Sequence, residues 1–200
     1  MFSRKDCFIL GWIYFGLMFV LEALLPEWMG NENSVIENLQ MLWFFAGIWY
    51  CYRMASAPMY DWGGKQSSLW YAGSLFFFLL AAREVSWGRA LFYHADGRMY
   101  KYSDMGLYGQ LVHPTVGVLL VLVLFLLWRG KIVSFLKSIK FPTMDFVLLL
   151  LFILMGWVGE KANIALFHGM VAEELAEFGA YMMMFQIVKS VGDELKSRYK

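Results

Sequence analysis

Three glutamates stand close together in the last apolar segment of the chain, and they most need a chemical explanation. They are Glu173, Glu174 and Glu177, of which the first and last share a helix face at a spacing of four. The run that follows, Phe178 to Val188, is apolar except for Gln186 and has only eleven residues, or about 16 Å of helix. If this segment crosses a membrane, the glutamates lie at hydrocarbon depth. Close carboxylates must there share protons, pair with bases or bind a metal ion.

A second reactive group occupies the run from Arg83 to Arg89, which places two arginines, an acid, a hydroxyl and an indole within two helical turns. We expect Arg83 to contact an anionic group of the substrate and Glu84, the next residue, to take part in catalysis. Ser86 and Arg89 would lie at the same opening of the binding site. One of the three glutamates, such as Glu173 or Glu177, would serve as general base. In this hypothesis the glutamate moves a proton while Arg83 holds an anionic group of the substrate.

Further polar side chains lie at helical spacing in other apolar segments. The predicted binding residues, besides Ser86 and Arg89, are Glu37, Gln40, Glu160 and Glu174. His113 and His168 are candidate metal ligands, because imidazole and carboxylate together suit a zinc or two-metal site. No HxxxH, HExxH or ExxH spacing accompanies them. A divalent metal ion is therefore the only cofactor suggested, and only by residue type.

The elements that position these residues are six apolar stretches, each close to the roughly 20 residues that cross ~30 Å of hydrocarbon. They are Cys7–Trp28, Val35–Tyr52, Leu69–Trp87, Gly106–Trp128, Met144–Val158 and Met170–Val188. Apolar residues make up 60% of the chain and charged residues 16%, which is too little polar surface for a soluble domain. The predicted fold is all-α: a polytopic integral membrane protein in which residues 1–200 form one bundle of about six transmembrane helices.

The basic residues predict the orientation of this bundle. Twelve of the seventeen Lys and Arg fall on the side of the two termini, whereas eleven of the sixteen acids fall on the opposite side. The chain is therefore expected in the plasma (inner) membrane with both termini cytoplasmic. Counted from that side, a set of polar residues lies about 18–28 Å up the helices: Glu22, Glu37, Glu84, His113, Glu160, Glu173, Glu174 and Glu177. All six helices would then contribute to one polar layer in the outer half of the bilayer.

The leading functional hypothesis is an acidic cavity, open to the outer face, that binds a cation or a polar head group. Within it, we favour metal-assisted chemistry on a lipid-phase substrate. A transporter or substrate-capture subunit is the first alternative, although the cytoplasmic half carries hardly any charge for a path through it. The second is a non-catalytic subunit whose buried ion pairs hold the helices together. Membrane lipid is the expected partner, with another membrane protein or a second copy of the chain beside it.

The net charge and the cysteines of the sequence give no indication of nucleic-acid binding or of a paired-cysteine site. A net charge of +1, without a basic patch interleaved with aromatics, gives no indication of nucleic-acid binding. Cys7 and Cys51 are too far apart to form a redox or zinc pair and are expected as free thiols. The polar layer has one further explanation, an outward shift of the apolar runs that leaves its groups among lipid head groups.

Overall fold

The structure, a computed structural model, describes residues 4–30, 35–57, 65–91, 100–161 and 169–198. Within these ranges all regular structure is helical, as the sequence predicts. The α-helices are α1 (Arg4–Leu24), α2 (Val35–Ser56), α3 (Lys65–Glu84), α4 (Gly106–Arg129), α5 (Ile132–Ser138), α6 (Thr143–Lys161) and α7 (Met170–Arg198). Short 3-10 turns lie at Glu27–Gly30, Ser86–Leu91 and Tyr102–Met105. Each predicted apolar stretch coincides with one long helix, and α5 is an additional short helix.

Two helical segments in these ranges are long and apolar enough to cross a membrane, judged by length and composition. They are Tyr102–Arg129, which joins a 3-10 turn to α4, and Thr143–Lys161, which is α6. Only 11% of the most apolar window of the first is buried, and 33% of that of the second. Since a core helix of a soluble protein is mostly buried, this exposure favours membrane association. The apolar part of α1, Phe8–Leu24, is shorter, so six spans remain a prediction.

Internal contacts divide the chain into two compact units. The first, Met1–Trp43 with Ile139–Lys200, contains α1, the start of α2, α6 and α7, and we call it the α6–α7 unit. The second, Phe44–Ser138, contains the rest of α2 with α3, α4 and α5, and we call it the α3–α4 unit. The single domain expected from the sequence stays a prediction.

The core of the α6–α7 unit lies where α1, α6 and α7 meet. Its most buried side chains include Met18, Leu148, Phe152 and Ala176, each with no exposed surface. Gly179 of α7 lies so close to the ring of Phe152 that a Cβ at this position would overlap it. Small residues let helices approach closely, a packing typical of membrane bundles. This contact fixes α7, and with it the glutamates of its first turns, against α6.

In the α3–α4 unit, α3 packs on α4 through Ala72, Leu79 and Val123. Gly47 of α2 admits the ring of Phe77, and a Cβ there would lie 2.5 Å from that ring. The two packed helices are joined by a segment that begins with the 3-10 turn at Ser86–Leu91. The predicted polar residues of this unit therefore lie at and near one end of the α3–α4 pair.

Candidate functional site

The acidic residues of the α6–α7 unit are positioned by the start of α7. The helix begins at Met170, directly after Gly169, whose φ of +87° suits glycine. The Gly169 amide donates to the Gly159 carbonyl at 3.2 Å, and the Glu173 amide donates to the Gly169 carbonyl at 3.2 Å. Carboxylates in the first turns of a helix also interact favourably with its dipole. The sequence therefore folds locally so that Glu173, Glu174 and Glu177 stand on the first two turns of α7.

Gln40 and Glu174, two of the predicted binding residues, are in direct contact. Gln40 is fully buried on α2, and its Nε2 donates to Glu174 Oε2 at 2.8 Å and to the Glu174 carbonyl at 3.1 Å. Its other amide atom, Oε1, is buried without a hydrogen-bond partner among the described residues. A buried polar atom without a partner carries a desolvation cost of about 1–3 kcal/mol. The Gln40 oxygen is thus an acceptor that lacks a donor or a cation.

Two tyrosines that the sequence analysis did not single out bind the same turns of α7. The Tyr14 hydroxyl on α1 donates to the Leu175 carbonyl at 2.8 Å. The Tyr181 hydroxyl donates to Glu177 Oε2 at 3.1 Å, one turn along the helix. Buried tyrosines generally need a partner for the hydroxyl. A tyrosine inside an apolar run was therefore the available signal for both residues.

The remaining predicted residues of this unit differ in exposure. Glu37 is half-buried on α2, one turn before Gln40, and Glu173 is half-buried on α7. Each of these two glutamates has an interaction partner. Glu160 is different, because its side chain is 52% exposed and its Oε1 lies 3.8 Å from Lys161 Nζ. The structure therefore brings Gln40 and Glu174 together and leaves Glu160 at the surface of α6.

In the α3–α4 unit, the predicted run from Arg83 to Arg89 contains an unusual turn. Ser86 and Trp87 have φ values of 46° and 54°, and Gly88 has a φ of 80°. Left-handed backbone is rare for residues with a large side chain and costs energy that neighbouring contacts must offset. Tyr102 and Tyr108 supply these contacts. The Tyr102 hydroxyl donates to the Ser86 carbonyl at 2.8 Å, and the Tyr108 hydroxyl donates to the Trp87 carbonyl.

Tyr102 also joins this turn to two predicted site residues. The Arg89 guanidinium carbon lies 4.9 Å from the centroid of the Tyr102 ring, within cation–π range. The His113 ring of α4 meets the same tyrosine edge-on, with centroids 5.4 Å apart. Arg89 Nε is buried and has no hydrogen-bond partner in the described part of the chain. Arg89 and His113 thus gather around one tyrosine, although His113 itself is exposed.

Arg83 and Glu84 lie at the end of α3, just before this turn. Arg83 Nε lies 3.8 Å from Glu84 Oε1, and the arginine side chain is 62% exposed while the glutamate side chain is 9% exposed. Both residues have further interaction partners. Glu84 is therefore turned into the protein, and Arg83 reaches outward from the same helix end.

The metal hypothesis draws no support from the part of the chain that the structure covers. Across residues 4–30, 35–57, 65–91, 100–161 and 169–198, no group of three or more His, Cys, Asp or Glu side chains is arranged to hold a metal ion. His168 lies outside the described residues. Metal binding by His113 and His168 stays a prediction, as does a single cavity shared by all six helices. Comparison with known proteins finds no matching family, no similar curated protein and no similar solved structure.

Proposed function

We propose that the chain is a multi-pass protein of the plasma (inner) membrane, with about six transmembrane helices and cytoplasmic termini. The exposed apolar surface of α4 supports this proposal, since Leu107, Val118 and Trp128 are 71%, 68% and 76% exposed. Surrounding hydrocarbon would cover such side chains without any protein partner. The distribution of Lys and Arg supports the orientation.

We propose further that the outer half of this protein binds a cation at Gln40 and Glu174. The observation that carries this proposal is the buried Gln40 side chain, whose Nε2 holds Glu174 while its Oε1 has no partner among the described residues. A bound cation would satisfy that oxygen and draw on the charge of the adjacent glutamate. Amide and carboxylate oxygens are the ligands that hard cations use in proteins.

The cation that fits is of low charge, either a monovalent metal ion or the primary ammonium of a polar head group. A divalent ion normally takes several carboxylates, and among the described residues no group of three or more His, Cys, Asp or Glu side chains is arranged to hold a metal ion. A primary ammonium instead needs only a few acceptor oxygens for its three N–H groups. Nothing among the described residues favours a chemical reaction over binding, so enzymatic activity stays a hypothesis.

The competing role for the same contact is structural. The hydrogen bonds from Gln40 would then simply join α2 to α7, as polar side chains do between membrane helices. The two roles differ in one measurable property, because a ligand that binds only the folded protein raises its stability. The gain is about 2.7 kcal/mol at a ligand concentration one hundred times Kd.

The test is thermal unfolding of the purified protein in detergent. Sodium chloride and ethylammonium chloride are titrated against choline chloride at constant ionic strength. We expect Tm to rise with sodium or ethylammonium and not with choline. Gln40→Met, which keeps the volume and removes both polar atoms, should abolish the rise. Glu160→Gln is the matched control and should retain it, because Glu160 is exposed and pairs with Lys161.

A structural role would give the opposite pattern. Gln40→Met would lower Tm equally in all three salts, and the wild-type protein would show no preference among them. That result would leave the membrane placement standing and remove the cation site.

A further inference from the structure

A cavity of about 300 Å³ lies in the α6–α7 unit at the far end of α7. Its walls come from the segment before α6 and from the last turns of α7, and they are Lys140, Gln186, Lys189, Ser190, Asp193 and Glu194. Small-molecule sites in proteins begin at about this size. Six polar or charged side chains in one such volume indicate a polar ligand.

This cavity is separate from the Gln40 site. Glu174 and Glu194 stand on the same uninterrupted helix, twenty residues apart, which corresponds to about 30 Å. That is the thickness of the hydrocarbon layer. In the orientation proposed above, Glu174 lies about 18–28 Å above the inner hydrocarbon boundary, so this distance places the cavity among the cytoplasmic head groups, and the inference below rests on that placement.

Most charges around the cavity are paired within the protein. Lys189 Nζ lies 3.5 Å from one oxygen of Asp193, and Lys196 Nζ lies 3.5 Å from the other. Glu194 Oε1 accepts from the Lys140 backbone amide at 2.7 Å and from Arg198 at 2.5 Å. These contacts fix the positions of the two carboxylates and leave few groups available to a ligand.

Two groups at this site remain without a partner among the described residues. Glu194 Oε2 is buried and accepts no hydrogen bond. The Lys140 side chain is exposed at the rim, and only its backbone amide is bonded. Gln186 and Ser190, 6% and 7% exposed, form a buried polar wall between α7 turns and contact each other at 3.4 Å. The cavity is thus lined by the Glu194 carboxylate, which has one oxygen without a partner, and by the exposed Lys140 side chain.

We propose that this cavity binds a phosphate–ammonium zwitterion, namely the ethanolamine phosphate group, with a phospholipid of the cytoplasmic leaflet as its source. The ammonium donates to Glu194 Oε2, and the phosphate accepts from Lys140 at the rim, where Lys189 adds positive charge. A cavity of about 300 Å³ is at the lower end of the volumes of small-molecule sites, which suits a group of this size. Choline phosphate has the same charges but no N–H, so it cannot satisfy the buried oxygen.

The experiment measures which lipid the full chain retains. The protein is reconstituted with equal amounts of phosphatidylethanolamine and phosphatidylcholine of identical acyl chains, and native mass spectrometry counts the bound lipids. We expect about a tenfold preference for ethanolamine, the scale of a charge-assisted hydrogen bond to a buried group. Lys140→Gln and Glu194→Gln should bring the ratio to about one. Lys137→Gln, at an exposed lysine that does not line the cavity, should keep it.

Two further measurements distinguish a lipid from a soluble ligand, and the cavity proposal from the proposals on membrane placement and the Gln40 site. Free ethanolamine phosphate that stabilises lipid-free protein, in the absence of any lipid preference, would assign the site to the soluble molecule. Equal retention of both lipids with no effect of the free compound would overturn the inference. So would a preference that survives in both cavity variants. The Lys140→Gln variant keeps Gln40, so the salt dependence of the Tm of this variant reports separately on the proposed outer site. Extraction of the protein from membranes without detergent would refute the membrane placement.

Discussion

The Arg89 guanidinium lies over the ring of Tyr102, with its central carbon 4.9 Å from the ring centroid. The hydroxyl of the same tyrosine donates to the Ser86 carbonyl at 2.8 Å. One side chain therefore holds both the arginine and the left-handed turn that precedes it. The residues of this turn follow α3, whereas Tyr102 comes from the turn before α4.

Replacing Tyr102 should loosen the turn in two separable steps. Tyr102→Phe removes the hydrogen bond to Ser86 and should lower the free energy of unfolding by about 0.5–1.5 kcal/mol. Tyr102→Leu also removes the ring under Arg89 and should cost about 0.5–1 kcal/mol more. Denaturant titration in detergent measures both. Tyr71→Phe, at an exposed position of α3, is the control, and an equal loss there would show that the Tyr102 contacts contribute nothing.

Gly88 should not tolerate a side chain. Its φ of 80° is left-handed, and a Cβ would lie 3.3 Å from the Tyr108 hydroxyl. We expect Gly88→Ala to destabilise the protein by about 1–2 kcal/mol. Gly117→Ala on α4 meets nothing within 4 Å and should be neutral or slightly stabilising. Equal behaviour of the two variants in thermal unfolding would contradict the left-handed geometry.

The close contact between Gly179 of α7 and Phe152 of α6 predicts that a substitution at one residue partly compensates for a substitution at the other. Gly179→Ala places a methyl group against the Phe152 ring, and overpacking of this kind costs about 1–3 kcal/mol. Phe152→Leu should recover part of that loss in the double variant, so the two effects should not add. Gly16→Ala on α1, where no atom lies within 4 Å, is the control. Strict additivity would mean that the two residues do not touch.

The predicted topology can be tested by labelling intact cells with a membrane-impermeant maleimide. In a Cys7→Ser background, cysteines at positions 53, 137 and 196 should be protected, because the basic residues there belong to the cytoplasmic side. A cysteine in place of Asn31 should react. The native Cys51 is fully buried and should add little background. Labelling at the first three positions with protection at the fourth would reverse the orientation.

The apolar stretches predicted the helices well, because long apolar runs without the alternation of a strand favour helices. Their ends were less predictable. The last stretch was expected to end at Val188, yet α7 continues to Arg198. Its final turns carry paired charges such as Lys189 with Asp193, which stabilise a helix without making it apolar. The short helix α5 was missed for a different reason, because its seven residues are too few to show a helical period.

The sequence predicted which residue types form the candidate sites, but it did not predict which residues contact one another. The sequence singled out Gln40 and Glu174, which are in contact, and it also grouped Glu160 with them, which is exposed beside Lys161. Helical spacing places a residue on a face but does not say which neighbour that face meets. The turn at Trp87 left no local signal either, because its conformation depends on hydroxyl groups from Tyr102 and Tyr108 on a later segment.

The length of α7 has a mechanical consequence. Its twenty-nine residues form one helix of about 43 Å without a proline, longer than the hydrocarbon layer is thick. A rod of this kind transmits an axial shift or rotation at one end to the other end. Any ligand that moves the turn bearing Glu174 would therefore also move the turn bearing Glu194. If such a shift accompanies binding, each site must alter the affinity of the other by the same factor, since thermodynamic linkage is reciprocal.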